Sequence, residues 1–140
     1  NKIIHQSKLL RYFLDEDYEK EKTEKDLQNV YKKIKKNKKY FISIKDIILL
    51  ESLKNDGINL PKGLDYQDLA AKLTIPQGLV DLVAENQTGL VLLKIVEIIG
   101  EDKIKDLDPE SVYFLSNIFD QLKLKKIRNK IISETLPTRI

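Results

Sequence analysis

Cysteine, methionine and tryptophan are absent from this 140-residue sequence, which also has only one histidine, five glycines and four prolines. Without cysteine, the chain has no disulfides, thiolate nucleophiles, zinc knuckles or iron–sulfur clusters. A single histidine, His5, cannot supply the histidine pair of a zinc site or an HExxH motif. The scarcity of glycine and proline leaves too few turns for an all-β sandwich or barrel.

Motifs for phosphate, acyl and calcium chemistry are also missing. The five glycines match neither GxGxxG nor GxxxxGK[ST], and there is no GxSxG nucleophile elbow. Asp15, Asp17 and Glu19 resemble the start of an EF-hand loop, but Lys20 stands where that loop needs glycine. No apolar run approaches the ~18 residues of a membrane span. We therefore predict no catalytic, cofactor-binding or metal-binding residue and no transmembrane segment.

The residues that are present favour one folded domain of helices. Hydrophobic residues make up 41% of the chain and charged residues 34%, which is typical of a globular protein. We predict a single all-α domain over residues 1–140, with seven or eight short antiparallel helices in an irregular bundle or an α-solenoid-like stack. Its weakest seam is residues 58–64, which contain Pro61 and Gly63. Because the sequence begins at Asn1 without methionine, we expect it to be part of a longer chain.

Helix start and stop signals divide the sequence into short segments. Ser43 with Asp46 predicts a capping box, Asp65 and Thr74 predict further helix starts, and Asp108 precedes Pro109 at another. Apolar residues at helical spacing lie between these signals. The predicted helices cover residues 2–14, 27–37, 44–54, 65–73, 76–83, 90–99, 109–122 and 125–136.

Charge is concentrated in the first 40 residues, which hold 12 basic and 7 acidic side chains. Lysine outnumbers arginine 22 to 3, which suggests an AT-rich genome. On the helix predicted to end near Asn37, the lysines fall opposite the apolar stripe. We call five of them the lysine face: Lys32, Lys33, Lys35, Lys36 and Lys39. They are a candidate binding site for an anionic partner, with Tyr31 and Tyr40 beside it as candidates for base stacking. The alternative is a solvated helix face without a partner, and the helical spacing also places Tyr31 in the core.

Glu51 is the most notable single carboxylate, because it falls within the apolar arc of the helix from Ile44 to Lys54. Burial of a carboxylate raises its pKa, which is one route to acid–base chemistry. The simpler interpretation is a carboxylate paired with a lysine at the edge of the core.

The hairpin at residues 108–137 resembles one unit of a tetratricopeptide-type helical repeat. Asp108-Pro109-Glu110 begins its first helix, Tyr113, Leu115, Ile118 and Phe119 face the second, and Pro137 closes it. The resemblance implies stacked antiparallel hairpins, which usually bind other proteins.

The dense helix signals and the missing catalytic residue types lead to one functional prediction and two alternatives. We predict a non-catalytic helical module with a protein partner or a structural role. The first alternative is a binder of nucleic acid or another anionic polymer through the lysine face. The second is an enzyme built on carboxylates.

Overall fold

A computed structural model describes residues 7–15, 17–73 and 107–135, together with the single positions 4, 81, 84, 85, 87 and 90. Its helices are α1 (Arg11–Leu14), α2 (Lys20–Lys36), α3 (Ile44–Asn55), α4 (Gln67–Ala70), α5 (Pro109–Gln121) and α6 (Lys125–Thr135). A 3-10 turn, Lys8–Leu10, leads into α1, and the described ranges contain no strand. The predicted all-α class is confirmed.

Two of the predicted helices, at residues 76–83 and 90–99, lie outside the described residues apart from single positions, as does the predicted cap at Thr74. Within the described part of the chain, no helix is both long and apolar enough to cross a lipid bilayer.

The predicted N-terminal caps of α3 and α5 are confirmed. The Ser43 hydroxyl accepts a hydrogen bond from the Asp46 amide, and the Asp46 carboxylate accepts one from the Ser43 amide. The Asp108 carboxylate accepts a 2.7 Å bond from the Ser111 amide, with Pro109 in the first turn. Each cap satisfies backbone N–H groups that have no partner inside the helix.

Both α3 and α5 end in the same hydrogen-bonded turn. After α3 the amide of Ile58 donates to the Leu53 carbonyl, and Gly57 has the left-handed φ of +87° that this turn requires. After α5 the amide of Leu124 donates to the Phe119 carbonyl, and Lys123 adopts φ of +60°. A lysine therefore occupies a backbone conformation that favours glycine.

Helix α1 is shorter than the predicted helix over residues 2–14, because Ser7 interrupts it. The Ser7 hydroxyl donates to the Ile4 carbonyl and accepts from the Leu9 amide. These side-chain bonds compete with helical backbone bonding, so Ile4 lies in a turn and the regular helix begins only at Arg11.

Helix α2 begins earlier than the apolar stripe alone indicates, at Lys20, and it ends at Lys36 as the position of Asn37 predicts. Asparagine often ends a helix in the left-handed conformation. Asn37 is instead extended, with φ −106° and ψ 92°, and its side-chain oxygen accepts a bond from the Lys39 amide.

Helix α3 is the centre of the core. Ile47, Ile48, Leu49, Leu50 and Leu53 are at most 2% exposed, so the helix is apolar on nearly all sides. It packs on α5, which forms a hairpin with α6, and α1 covers α6. The four helices α1, α3, α5 and α6 therefore meet around the C-terminal end of α3.

Candidate functional site

Arg128 on α6 is fully buried and holds two carboxylates at once. Its guanidinium donates to both oxygens of Asp56, at 2.7 and 2.6 Å, and to Asp120 at 2.9 Å. It donates two further bonds, at 3.1 and 2.7 Å, to the side-chain oxygen of Asn129. A planar five-donor group suits this arrangement, which a lysine cannot reproduce.

The backbone explains why a buried cation is tolerated at this point. Asp56 follows the last residue of α3, and Asp120 lies in the last turn of α5. Each helix C-terminus carries partial negative charge from carbonyls without intrahelical partners. Arg128 also donates a longer bond, 3.5 Å, to the Ser52 carbonyl in α3. The arginine therefore places one positive charge beside two carboxylates and two helix C-termini.

Tyr12 and Lys125 surround this Arg128 cluster on the solvent side. The Tyr12 hydroxyl donates a 2.6 Å bond to Asp56. The Lys125 ammonium lies 3.6 Å from Asp56 and 5.0 Å from the centre of the Tyr12 ring. Burial and the bond to Asp56 raise the pKa of Tyr12. The cluster thus links α1, α3, α5 and α6 through charged hydrogen bonds.

The two aspartates of the cluster differ in their acidity. Burial tends to raise the pKa of Asp56, but hydrogen bonds from Arg128 and Tyr12 outweigh it and lower that pKa. Burial dominates at Asp120 and raises its pKa to about 6, against the opposing effect of its single bond from Arg128. The bidentate contact explains the difference, because Asp56 receives more donors than Asp120.

A small cavity of about 280 Å³ opens over the cluster, with both aspartates and Phe119 in its wall. A carboxylate pair with separated pKa values is also found in acid–base enzymes. In this pair, however, Arg128 engages both carboxylates, which fixes their positions and joins the helices. A structural role accounts for all of these contacts.

A larger groove, of about 470 Å³, runs between α1 and α6 beside the cluster. Its apolar wall consists of Tyr12, Phe13, Leu14 and Tyr18, and Leu14 is 65% exposed. Its polar wall, all from α6, consists of Lys125, Lys126, Asn129, Lys130 and Ser133. No carboxylate is among the described residues that line it.

The polar wall of this groove offers hydrogen-bond donors. The side-chain oxygen of Asn129 is occupied by Arg128, so its amide N–H groups remain for a ligand. Lys126 and Lys130 are exposed, and neither forms an ion pair in the described part of the chain. A ligand that fits this wall must therefore bring acceptors, and carboxylates fit best.

The predicted lysine face is exposed along its whole length: Lys32, Lys33, Lys35 and Lys36 project from α2, and Lys39 follows in the next loop. The two tyrosines predicted to stack on bases are engaged elsewhere. Tyr31 is half-buried with the Lys35 ammonium 5.1 Å from its ring centre, and a side chain at Gly63 would meet its hydroxyl at 2.6 Å. Tyr40 donates a 2.6 Å bond to Asp46.

Glu51 is half-buried, and no lysine among the described residues forms an ion pair with it. Its neighbours are tyrosines. Burial and then the negative charge of Glu51 raise the pKa values of Tyr66 and Tyr113. The Tyr66 hydroxyl is buried and makes no well-formed hydrogen bond with another described residue.

Arg128 was not predicted from the sequence as a site residue, although two features of the sequence distinguish it. It is one of only three arginines in a chain with 22 lysines. It also lies on the apolar side of α6, at helical spacing between Leu124 and the buried residues Ile131 and Ile132. A charged residue inside an apolar stripe requires buried partners.

No protein-family model matches the chain, and no similar curated protein or solved structure was found. The resemblance of residues 108–137 to a tetratricopeptide hairpin therefore stays a prediction. The functional proposal below depends on the contacts and charges of the described residues.

Proposed function

We propose that the protein is a non-catalytic interaction module that binds an acidic segment of a partner protein in the groove between α1 and α6. One observation carries this proposal: the groove combines an apolar wall, in which Leu14 is exposed, with a polar wall that contains three lysines and no lining carboxylate among the described residues. Its occupant must then be apolar on one side and acidic on the other.

The size and stiffness of the groove support a peptide ligand. A volume of about 470 Å³ accommodates a few side chains, within the usual range for ligand pockets. Tyr12 and Asn129 belong both to the groove wall and to the Arg128 cluster, so the buried hydrogen bonds hold that wall in place. A wall ordered before binding reduces the conformational entropy that is lost on association.

Leu14 and Lys126 define the expected recognition pattern. An apolar side chain of the partner covers Leu14, which is 65% exposed in the free protein. Flanking Asp or Glu side chains contact Lys126 and Lys130, whose ammonium groups are exposed. Such charge pairs contribute to specificity and association rate more than to affinity.

Peptide selection tests this pattern directly. A random peptide library is selected on the immobilised protein, and an enriched peptide is synthesised and titrated by fluorescence anisotropy. We expect Asp and Glu flanking an apolar residue. Reversing two groove charges, Lys126→Glu with Lys130→Glu, should weaken binding about tenfold or more, because two exposed ion pairs of up to ~1 kcal/mol each become repulsive.

A matched control separates the groove from general surface charge. Lys32→Glu with Lys36→Glu makes the same charge change, at the same spacing of four residues, at two exposed positions in the second half of α2. Binding should survive in this control and should weaken in Leu14→Ser. The proposal would be contradicted if both charge variants lost peptide affinity equally, or if the selected peptides contained no acidic residues.

The alternatives from the sequence remain distinguishable by experiment. A carboxylate enzyme would replace the present proposal if the protein turned over substrates in a hydrolase and transferase panel and Asp120→Asn abolished the activity. The finer architecture is also a proposal: the helices predicted at residues 76–83 and 90–99 would complete a stack of seven or eight, as an α-solenoid or an irregular bundle.

A further inference from the structure

Phe41 is the most exposed large apolar side chain in the described part of the chain, at 72%. It lies in the loop between α2 and α3, directly after Lys38, Lys39 and Tyr40. An aromatic ring that is this exposed gains little from folding. A single exposed apolar side chain is common on protein surfaces, so the charges that precede Phe41 in the chain decide which partner it fits.

The backbone holds Phe41 outward from both sides. Before it, the Tyr40 amide donates to the Asn37 carbonyl at 3.1 Å, which closes a turn. After it, Ser43 is fixed in the capping box of α3. Tyr40 points inward to its bond with Asp46, and Ile42 also packs against the core, so the ring between them faces solvent.

The chain on the N-terminal side of this ring is positively charged. The lysine face and Lys38 supply six ammonium groups within residues 32–39, and no acidic residue occurs between Asp26 and Asp46. Asp26, the nearest acid of α2, lies ~15 Å from Lys36 along the axis at 1.5 Å per residue. This separation exceeds the Debye length of ~8 Å at physiological salt, so the acidic half of α2 does not cancel the field.

Helix stability alone does not explain this arrangement. Lysines in the last turn of α2 are favourable at the negative end of the helix dipole, which accounts for Lys33, Lys35 and Lys36. Lys38 and Lys39 lie beyond the helix, and the dipole gives no reason to expose Phe41.

We propose that Phe41 and the lysine face, with Lys38, dock the protein on the surface of an anionic lipid bilayer. The ring enters the interface between headgroups and acyl chains, and the ammonium groups lie over the lipid phosphates. Such binding combines buried apolar area with attraction to anionic lipid. It involves a different surface from the groove between α1 and α6.

A lipid surface fits this chemistry better than a nucleic acid. Single-stranded nucleic acids are bound through several stacking aromatics and through arginine as well as lysine. Here Tyr31 and Tyr40 are engaged by other residues, which leaves Phe41 as the one exposed ring of the three. The basic residues are all lysine, which serves as a point charge without directional pairing.

Vesicle flotation with the full chain tests the proposal. We expect binding to phosphatidylcholine vesicles that contain about 30% phosphatidylglycerol, and none to pure phosphatidylcholine. Replacing Phe41→Ser should weaken the partition about tenfold, because the apolar contribution is lost. Replacing Lys36, Lys38 and Lys39 with Gln should weaken it about a hundredfold, at roughly fivefold for each lysine.

The same helix supplies the matched control. Replacing Lys20, Lys22 and Lys25 with Gln removes the same charge from exposed positions at the other end of α2 and should leave binding within about twofold. Equal losses in the two triple variants, or an unchanged partition of the Phe41→Ser variant, overturn the docking site. Tighter binding to a single-stranded oligonucleotide, weakened by Phe41→Ser, assigns the surface to nucleic acid instead.

Discussion

Replacing Asp120 with asparagine should make the protein more stable at neutral pH and leave its stability nearly unchanged in acid. Burial raises the pKa of this carboxyl from 3.8 to about 6. The folded state therefore holds the Asp120 proton more tightly than the unfolded state does. This contribution to stability is complete below pH ~3.8 and is lost as the pH rises through about 6.

The shift in the Asp120 pKa sets the size of this difference in the free energy of unfolding. A difference of about two pKa units corresponds to about 3 kcal/mol at 1.36 kcal/mol per unit. The Asp120 side chain is only 11% exposed, so solvent screening is small. Asparagine does not titrate and keeps an oxygen that can accept the bond from Arg128. The free energy of unfolding of Asp120→Asn, relative to the parent, should thus rise by about 3 kcal/mol between pH 4 and pH 7.5.

Urea denaturation followed by circular dichroism, repeated at each pH, measures this difference. Asp56→Asn is the control in the same cluster, and its expected slope has the opposite sign. Hydrogen bonds lower the Asp56 pKa despite burial, so its stabilisation is present above pH ~3.8 and is lost as the pH falls through the lowered value. A flat difference for Asp120→Asn, or a greater destabilisation at pH 7.5 than at pH 4, would refute the reasoning from burial.

Three further substitutions test the packing of the described residues. Arg128→Met should lower the free energy of unfolding by about 3–5 kcal/mol in urea denaturation at pH 7.5, because two buried carboxylates lose their cation. Replacing Asp56 and Asp120 with asparagine in the same variant should restore most of this loss. Gly63→Ala should cost about 1 kcal/mol more than Gly57→Ala in thermal unfolding, since only at Gly63 does a new Cβ meet a neighbour, and Tyr31→Phe should abolish that excess. Lys123→Gly should stabilise by about 1 kcal/mol, by relieving φ of +60°; an unchanged midpoint would contradict this.

Local signals in the sequence predicted the helix boundaries best where one side chain acts on its own turn. Ser43 and Asp108 cap the helices that directly follow them, so short-range pattern is sufficient. The same logic failed at Ser7, whose hydroxyl has two backbone partners and interrupts the predicted first helix. Sequence alone does not decide between a cap and a helix interior for such a residue.

The site was less predictable, because its contacts join distant parts of the chain. Arg128 and Asp56 are 72 residues apart, and no local pattern connects them. The predicted lysine face is exposed, but the aromatic side chain beside it is Phe41 rather than the predicted Tyr31 and Tyr40. Phe41 is exposed instead of Tyr40 because the Tyr40 side chain points into the core. Its direction depends on the hydrogen bond to Asp46 and on the turn before Tyr40.

The long separation between Asp56 and Arg128 has a consequence for protein synthesis. At 5–20 residues per second, the ribosome adds the arginine about 4 to 14 s after the aspartate. Until residue 121 has been added, α3 lacks α5, the helix on which it packs. The nascent chain therefore lacks this partner for the apolar side chains of α3 until the last hairpin emerges, which makes chaperone binding during translation an expected stage in the biogenesis of this protein.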